Sequence, residues 1–222
     1  NFDDLLADKK ILICNFSKGL IGEDTSALFG ITVLAKLQLS ALRRARLPLE
    51  TRTPFYLYVD EFQNFATTSF TQLLSEARKY KLLVTMAEQS TSQQKDSRMV
   101  NVLLANVGTV ICFRTGNVLD EQLLAPLFRP FLMGSEIANL PPFHFYMRSA
   151  SVHAQEPLSG ETLLVTHPGS REVSEAAIAA SRRNYARPYE APEAEQVQSA
   201  RHRVAAKPTP LPLGDIAPTP LP

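Results

Sequence analysis

FYLYVDEF, residues 55–62, runs five apolar or aromatic residues directly into two adjacent acids, Asp60 and Glu61. Neighbouring side chains of a strand point to opposite faces, so an unbroken apolar run suits a strand covered on both sides. Apolar runs at 10–16, 82–87 and 109–114 have the same character. Three helical patterns separate these four runs, and that alternation predicts an α/β sheet, mostly parallel, with helices on both faces. Asp60 and Glu61 then stand at the carboxyl end of a core strand, where open α/β sheets bind ligands.

The first helix is expected to start near Asp24, Thr25 and Ser26, all good cap residues, and to run to about Arg46. Its packed face is expected to carry Leu28, Ile31, Ala35, Leu39 and Leu42, and Pro48 lies just beyond its end. A second helix is predicted over 69–80, with Phe70, Leu73, Leu74 and Ala77 inward and Glu76, Arg78 and Lys79 outward. A third, over 96–105, brings Met99, Val100, Leu103 and Leu104 to the sheet.

Beyond residue 114 a helix is expected near 118–127, then a stretch punctuated by Pro126, Pro130, Pro141 and Pro142, then edge strands at 143–149 and 161–166. The expected organisation is a main domain over 1–170, a terminal helix over 171–186 and a tail over 187–222. That tail holds eight of the sixteen prolines and few large apolar residues other than leucine, so it is expected to be disordered or polyproline-like.

Composition narrows the field. With 45% hydrophobic and 20% charged residues, 222 residues can bury a sizeable core. A formal net charge of +1 gives no bulk argument for nucleic acid, membrane or acidic partners. Arg171, Arg182, Arg183, Arg187, Arg201, Arg203 and Lys207 dot the last third, but Glu190, Glu193 and Glu195 interrupt them and favour a plain solvated tail. Cys14 and Cys112 sit inside apolar runs, which fits buried thiols in a reducing cytoplasm rather than a disulfide framework. No stretch is expected to span a bilayer. His144, His153, His167 and His202 show no ligand spacing, so no metal site built on histidine is expected. Ser159-Gly160 lacks the strand-turn-helix setting of a nucleophile.

Apolar residues followed by Asp-Glu match the Walker B arrangement of P-loop ATPases, in which the aspartate orients the magnesium shell and the glutamate polarises the attacking water. The same two residues also suit ordinary exposed acids in the loop after a core strand. A metal-dependent nuclease or phosphatase is a further reading, but such sites draw on several more acids or histidines.

VDEFQNFATTSF, followed by LLSEARKYKLLVTMAEQSTSQQ, resembles the TraG/TraD-type coupling proteins of conjugation and type IV secretion, relatives of FtsK- and HerA-like translocases. The resemblance runs from about Phe2 through KILICNFSKGLIGED and LLANVGTVICFRTG to about Val165. It implies a RecA-like core and an ATP- and Mg-dependent motor that moves DNA or a protein–DNA substrate. It further implies a hexameric ring in the cytoplasm, at the inner face of the cell membrane, with secretion-channel or relaxosome proteins as partners. Residue by residue, it makes Asp60 the magnesium-linked acid, Glu61 the catalytic carboxylate, Gln89 the sensor of the γ-phosphate and Arg78 an arginine finger reaching a neighbouring subunit. Arg114, which ends TVICFR, is a secondary candidate sensor. The polar run from Gln89 to Gln94 is a candidate DNA contact, and equally a solvated loop.

One element of the family pattern is missing: no Gly-x-x-x-x-Gly-Lys followed by Ser or Thr occurs, and Gly19 and Gly22 have the wrong spacing. The chain is therefore expected to be a piece of a longer protein whose phosphate-binding loop lies upstream, inactive by itself. The alternative is a truncated, non-catalytic assembly module.

Overall fold

The computed structural model describes residues 1–91, 97–133, 135–149, 155–166 and 169–187. The chain divides into two compact units, Asn1–Leu163 and Leu164–Pro222. The first contains helices α1 (Phe2–Ala7), α2 (Lys18–Ile21), α3 (Glu23–Arg43), α4 (Thr68–Leu74), α5 (Ser97–Asn106) and α6 (Val118–Leu124). Its strands are β1 (Phe55–Val59), β2 (Leu82–Met86), β3 (Thr109–Phe113), β4 (His144–Ser149) and β5 (Leu158–Glu161). The second contains α7 (Arg171–Tyr185), capped by Ser170, whose hydroxyl accepts from the Val173 N–H. The expected proline-rich tail lies, from residue 188, outside the described residues.

Strands β1 and β2 pair in parallel, with Phe55 opposite Leu82 and Val59 opposite Met86. The expectation of one mostly parallel sheet holds only for this pair, because β3 belongs to a separate antiparallel sheet ordered β3-β4-β5. Residues 10–16, expected as a strand, carry no ladder; Ile11 and Ile13 point into solvent. The last expected strand, 161–166, is displaced: β5 ends at Glu161, and Leu163, Leu164 and Val165 are exposed.

Phe55, Leu57 and Val59 of β1, with Leu82, Val84 and Met86 of β2, face a core built from Leu34, Leu37 and Ala41 of α3, Phe70 and Leu73 of α4, and Leu103 of α5. The opposite face is open: Tyr56 is 60% and Tyr58 73% exposed, beside Leu83. An unbroken apolar run therefore does not mean cover on both faces here, since tyrosine can leave its hydroxyl in water. A second core gathers Cys112, Phe128, Leu132, Ile137 and Leu140 against the antiparallel sheet.

Helix α3 starts at Glu23, one residue before the expected Asp24, but none of the three expected residues caps it. Gly22, at φ +82°, forms its N-cap, and Ser26 is buried inside the first turns with its hydroxyl donating to the Phe16 carbonyl at 2.5 Å. The helix also buries a different face from the one expected. Ser26, Gly30, Leu34, Leu37 and Ala41 are inside, whereas Leu28 and Leu39 are exposed. Small residues let the helix approach closely: a methyl at Gly30 would overlap the ring of Phe65. Glu23–Arg46 is long and apolar enough to cross a membrane by length and composition, contrary to expectation. Leu34, Leu37 and Ala41 of this helix pack into the core, while Leu28, Phe29 and Leu39 are exposed.

The predicted helix over 69–80 is broken. Helix α4 stops at Leu74, and a 3-10 turn over Ala77–Tyr80 leads to Lys81 in the left-handed region at φ 51° and then into β2. Phe70, Leu73 and Ala77 are buried as the spacing predicts.

Arg44, just past α3, is 6% exposed. Its guanidinium donates to the carbonyls of Thr53, Tyr80 and Leu6 at 2.8, 3.1 and 2.7 Å. This one side chain therefore ties α1, α3 and the approaches to β1 and β2 together. Burial, and then the nearby Arg52 charge, lower its pKa, and the three carbonyls compensate the buried cation.

Candidate functional site at the carboxyl ends of the parallel strands

Strand β1 ends at Val59, and Asp60 and Glu61 follow it into the loop. Asp60 is exposed, and one of its carboxylate oxygens accepts the Glu61 N–H at 2.9 Å. Glu61 is half-buried, in the left-handed region at φ 46°, ψ 47°. That conformation is unfavourable for a residue with a Cβ and is held here by its surroundings. The Phe62 N–H donates to the Ala87 carbonyl at 3.0 Å, and the buried Phe62 ring packs on Phe70. The chain thus turns sharply at Glu61, and successive acids leave the strand in different directions.

The Glu61 carboxylate accepts two side-chain amides. Asn64 Nδ2 donates to Oε2 at 3.0 Å, and Gln89 Nε2 donates to Oε1 at 3.4 Å. Gln89 is exposed three residues beyond β2, and the parallel register brings it to the same rim as Glu61. Asn64 in turn accepts from Lys18 Nζ at 2.8 Å, and Lys18 also pairs with Glu23 at 3.6 Å.

Arg78 is not at this rim. It lies in the 3-10 turn before β2, exposed, and because the two strands are parallel that is the opposite end of the sheet, about 16 Å of strand away. Arg114 is exposed directly after β3, on the other sheet. Of the residues singled out by sequence, Asp60, Glu61 and Gln89 therefore come together, and Arg78 and Arg114 do not join them. Residues 92–94 of the polar run lie outside the described residues. His144 is the one histidine of the four within them, and its Nδ1 lies 3.0 Å from the Pro142 carbonyl.

Sequence reasoning missed Asn64, Lys18 and Asp120. Asn64 sits three residues after Glu61 in a 3-10 turn, a spacing that brings i and i+3 to one side and so was readable. Lys18 is drawn in only by contacts across 46 residues, for which no local pattern exists. Asp120 lies in the first turn of α6, 4% exposed, and accepts hydrogen bonds from the residues that follow Gln89.

A cavity of about 630 Å³ opens beside the carboxylates, between β1, α3 and the 12–18 segment. Asp60, Glu61, Asn64, Lys18 and Ser17 are among its polar lining, while Leu34, Leu37, Leu57 and Phe65 help form an apolar wall. Cys14 also lines it and, contrary to the expectation of a buried thiol, is exposed, because residues 10–16 form no strand; partial desolvation against the cavity wall still pushes that thiol's pKa up. A single carboxylate such as Asp60 fits Mg²⁺, which keeps most of its waters and takes one or two acids with substrate phosphates. A triphosphate does not fit the described residues as well: its oxygens require a cradle of backbone N–H groups and a lysine, and Lys18 is already engaged by Asn64 and Glu23. Among the described residues, no group of three or more His, Cys, Asp or Glu could hold a metal ion.

Residues 54–125 match the family model described as the TraM recognition site of TraD and TraG. The fold is similar to that of the plasmid coupling protein TrwB in complex with ADP and Mg²⁺, with a TM-score of 0.51 and 21% identity over 63% of this chain and 36% of that one. It is similar also to TrwB in complex with a non-hydrolysable ATP analogue, with a TM-score of 0.50 and 20% identity over 65% and 37% of the two chains. An unbound form of this bacterial conjugative coupling protein gives a TM-score of 0.50 and 19% identity over 65% and 38%. The chain thus spans less than two-fifths of the length of these solved structures. Among curated proteins none matches. The matched segment carries β1, both acids, Gln89 and α6, and over that third of its length the chain is similar to the TraG/TraD-type coupling proteins.

Proposed function

We propose that this chain supplies the acidic wall of a nucleotide site in a RecA-like motor that couples ATP hydrolysis to moving DNA or a protein–DNA substrate in conjugation or type IV secretion. The observation that carries this reading is the meeting of Glu61 and Gln89, 3.4 Å apart, at the carboxyl ends of two parallel strands.

In that site Asp60 would hold Mg²⁺ through water, and the ion would neutralise phosphate charge. Glu61 would orient a water by accepting its hydrogen bond, held in place by the Asn64 amide on its other oxygen. Gln89 would donate its amide to a phosphate oxygen or the same water without adding charge. Arg78 lies at the far end of the parallel pair, so its service as a finger requires a neighbouring copy, in keeping with a hexameric ring. The phosphate-binding loop would lie in a further part of the protein. Its partners would be DNA and relaxosome or channel proteins, met at the cytoplasmic face of the membrane.

Glu61→Gln keeps the side chain's size and one acceptor oxygen, for one of the two amides that Glu61 now holds, while removing the negative charge. In the protein that carries this chain with its phosphate-binding loop, the substitution is expected to leave ATP bound and cut turnover about 100-fold or more. Unchanged turnover sinks the proposal. A second reading, a non-catalytic assembly module, is favoured by the absence of Gly-x-x-x-x-Gly-Lys from the sequence. Failure of the natural protein to bind labelled ATP would select it.

A further inference from the structure

The carboxylate of Asp120 is buried and filled by donors from a single turn of another element. Ser90 Oγ donates to one oxygen at 2.7 Å, and the Thr91 N–H donates to the other at 3.0 Å. The Thr91 hydroxyl donates to that second oxygen as well. Ser90 and Thr91 directly follow Gln89, and Asp120 belongs to α6, the helix that leaves the antiparallel sheet. Burying a carboxylate is costly unless donors compensate it, and only an acceptor-only group can take three donors at once without turning one of them away.

We propose that Asp120 is a positioning residue: by gripping the turn at Ser90 and Thr91 it aims the Gln89 amide at Glu61 and makes that aim depend on the placement of α6. The inference rests on the nucleotide reading of Glu61 and Gln89 for its consequence on turnover, but the clamp itself does not. A shift of α6 relative to the parallel pair would carry Ser90 and Thr91 with it and withdraw Gln89 from the carboxylate. The antiparallel sheet would in this way report on, or set, the state of the rim.

The test uses Asp120→Ala and Asp120→Asn. Alanine removes every acceptor. Asparagine keeps one oxygen for the Thr91 N–H, and the Ser90 hydroxyl can rotate to accept from the new amide. In the 222-residue chain, amide hydrogen exchange at residues 88–91 is expected to speed up about 10-fold or more in D120A and to stay within about threefold of wild type in D120N. Equal exchange in D120A and wild type overturns the clamp. Should D120A fail to fold, the double variant Ser90→Ala/Thr91→Val is expected to accelerate exchange at the same residues, and unchanged exchange there overturns the clamp instead.

In the ATP-hydrolysing protein, D120A is expected to lower kcat about 10-fold or more with KM for ATP within about threefold, and D120N to recover most of the loss. A wild-type kcat in D120A, in a protein that E61Q inactivates, overturns the positioning role alone. Unchanged turnover in E61Q overturns the nucleotide reading instead and leaves the exchange result to decide the clamp.

Discussion

Gln89 Nε2 stands 3.4 Å from Glu61 Oε1 across 28 residues of sequence. Two independent constraints produce the contact. The parallel register sets Val59 opposite Met86, so both chains leave the sheet at one level. The left-handed backbone at Glu61 then turns its side chain toward the neighbouring exit.

That backbone is testable through stability. Glycine has no Cβ to clash at φ 46°, whereas alanine keeps the clash and loses the carboxylate's contacts. Glu61→Gly is therefore expected to be more stable than Glu61→Ala by about 1 kcal/mol in urea unfolding. At an ordinary loop position the order would reverse, because glycine loosens the unfolded chain.

Helix α3 and the site loop meet where Gly30 faces Phe65. Gly30→Ala adds helix propensity but drives a methyl into the ring, so a net loss of about 1–3 kcal/mol is expected. Phe65→Leu in the same protein should recover part of it. Additive effects in the double-mutant cycle would mean that the ring yields without cost.

Arg44 donates from one guanidinium to the carbonyls of Thr53, Tyr80 and Leu6. Arg44→Met keeps most of the stem and removes the donors, leaving buried acceptors unmet. A loss of about 2–4 kcal/mol is expected, read as a lower urea midpoint with unchanged slope. A loss below 1 kcal/mol would show that water replaces the guanidinium.

Burial, aided by the Asp120 and Glu121 charges, pushes the Cys112 thiol from its ordinary 9.0 up to about 11. The unfolded chain ionises first, so the stability held by the neutral thiol is complete below about pH 9 and lost as pH rises toward 11. At roughly 1.4 kcal/mol per pH unit, wild type is expected to lose stability more steeply than Cys112→Ala across that window. Parallel slopes for the two proteins would contradict it.

Local patterning served the site better than it served the helix faces. FYLYVDEF ends a strand as expected, and Phe70, Leu73 and Ala77 are buried at their helical spacing, even though the backbone breaks between Leu74 and Ala77. The face of α3 misled because large apolar residues signal burial only when nothing small competes. Here Ser26, Gly30 and Ala41 win by allowing closer approach. Strand pairing was the least readable feature. Nothing in TVICFR distinguishes an antiparallel partner from a parallel one, and KILICNF reads as a strand yet pairs with none. Asp120 escaped notice for a related reason: a carboxylate near a helix start looks ordinary until the turn it grips, some thirty residues away, is placed beside it.

Among the described residues the sheet of β1 and β2 is only two strands wide, with tyrosines along its uncovered side. A pair of strands this narrow does not persist in water unaided, so its alignment is lent by α3, α4 and α5 beneath. The flanks remain adhesive, and a concentrated solution of the 222-residue chain should self-associate through them before its helices unravel. Light scattering that rises well below the thermal transition, and falls when Tyr56 and Tyr58 are replaced by lysine, would be the sign of it.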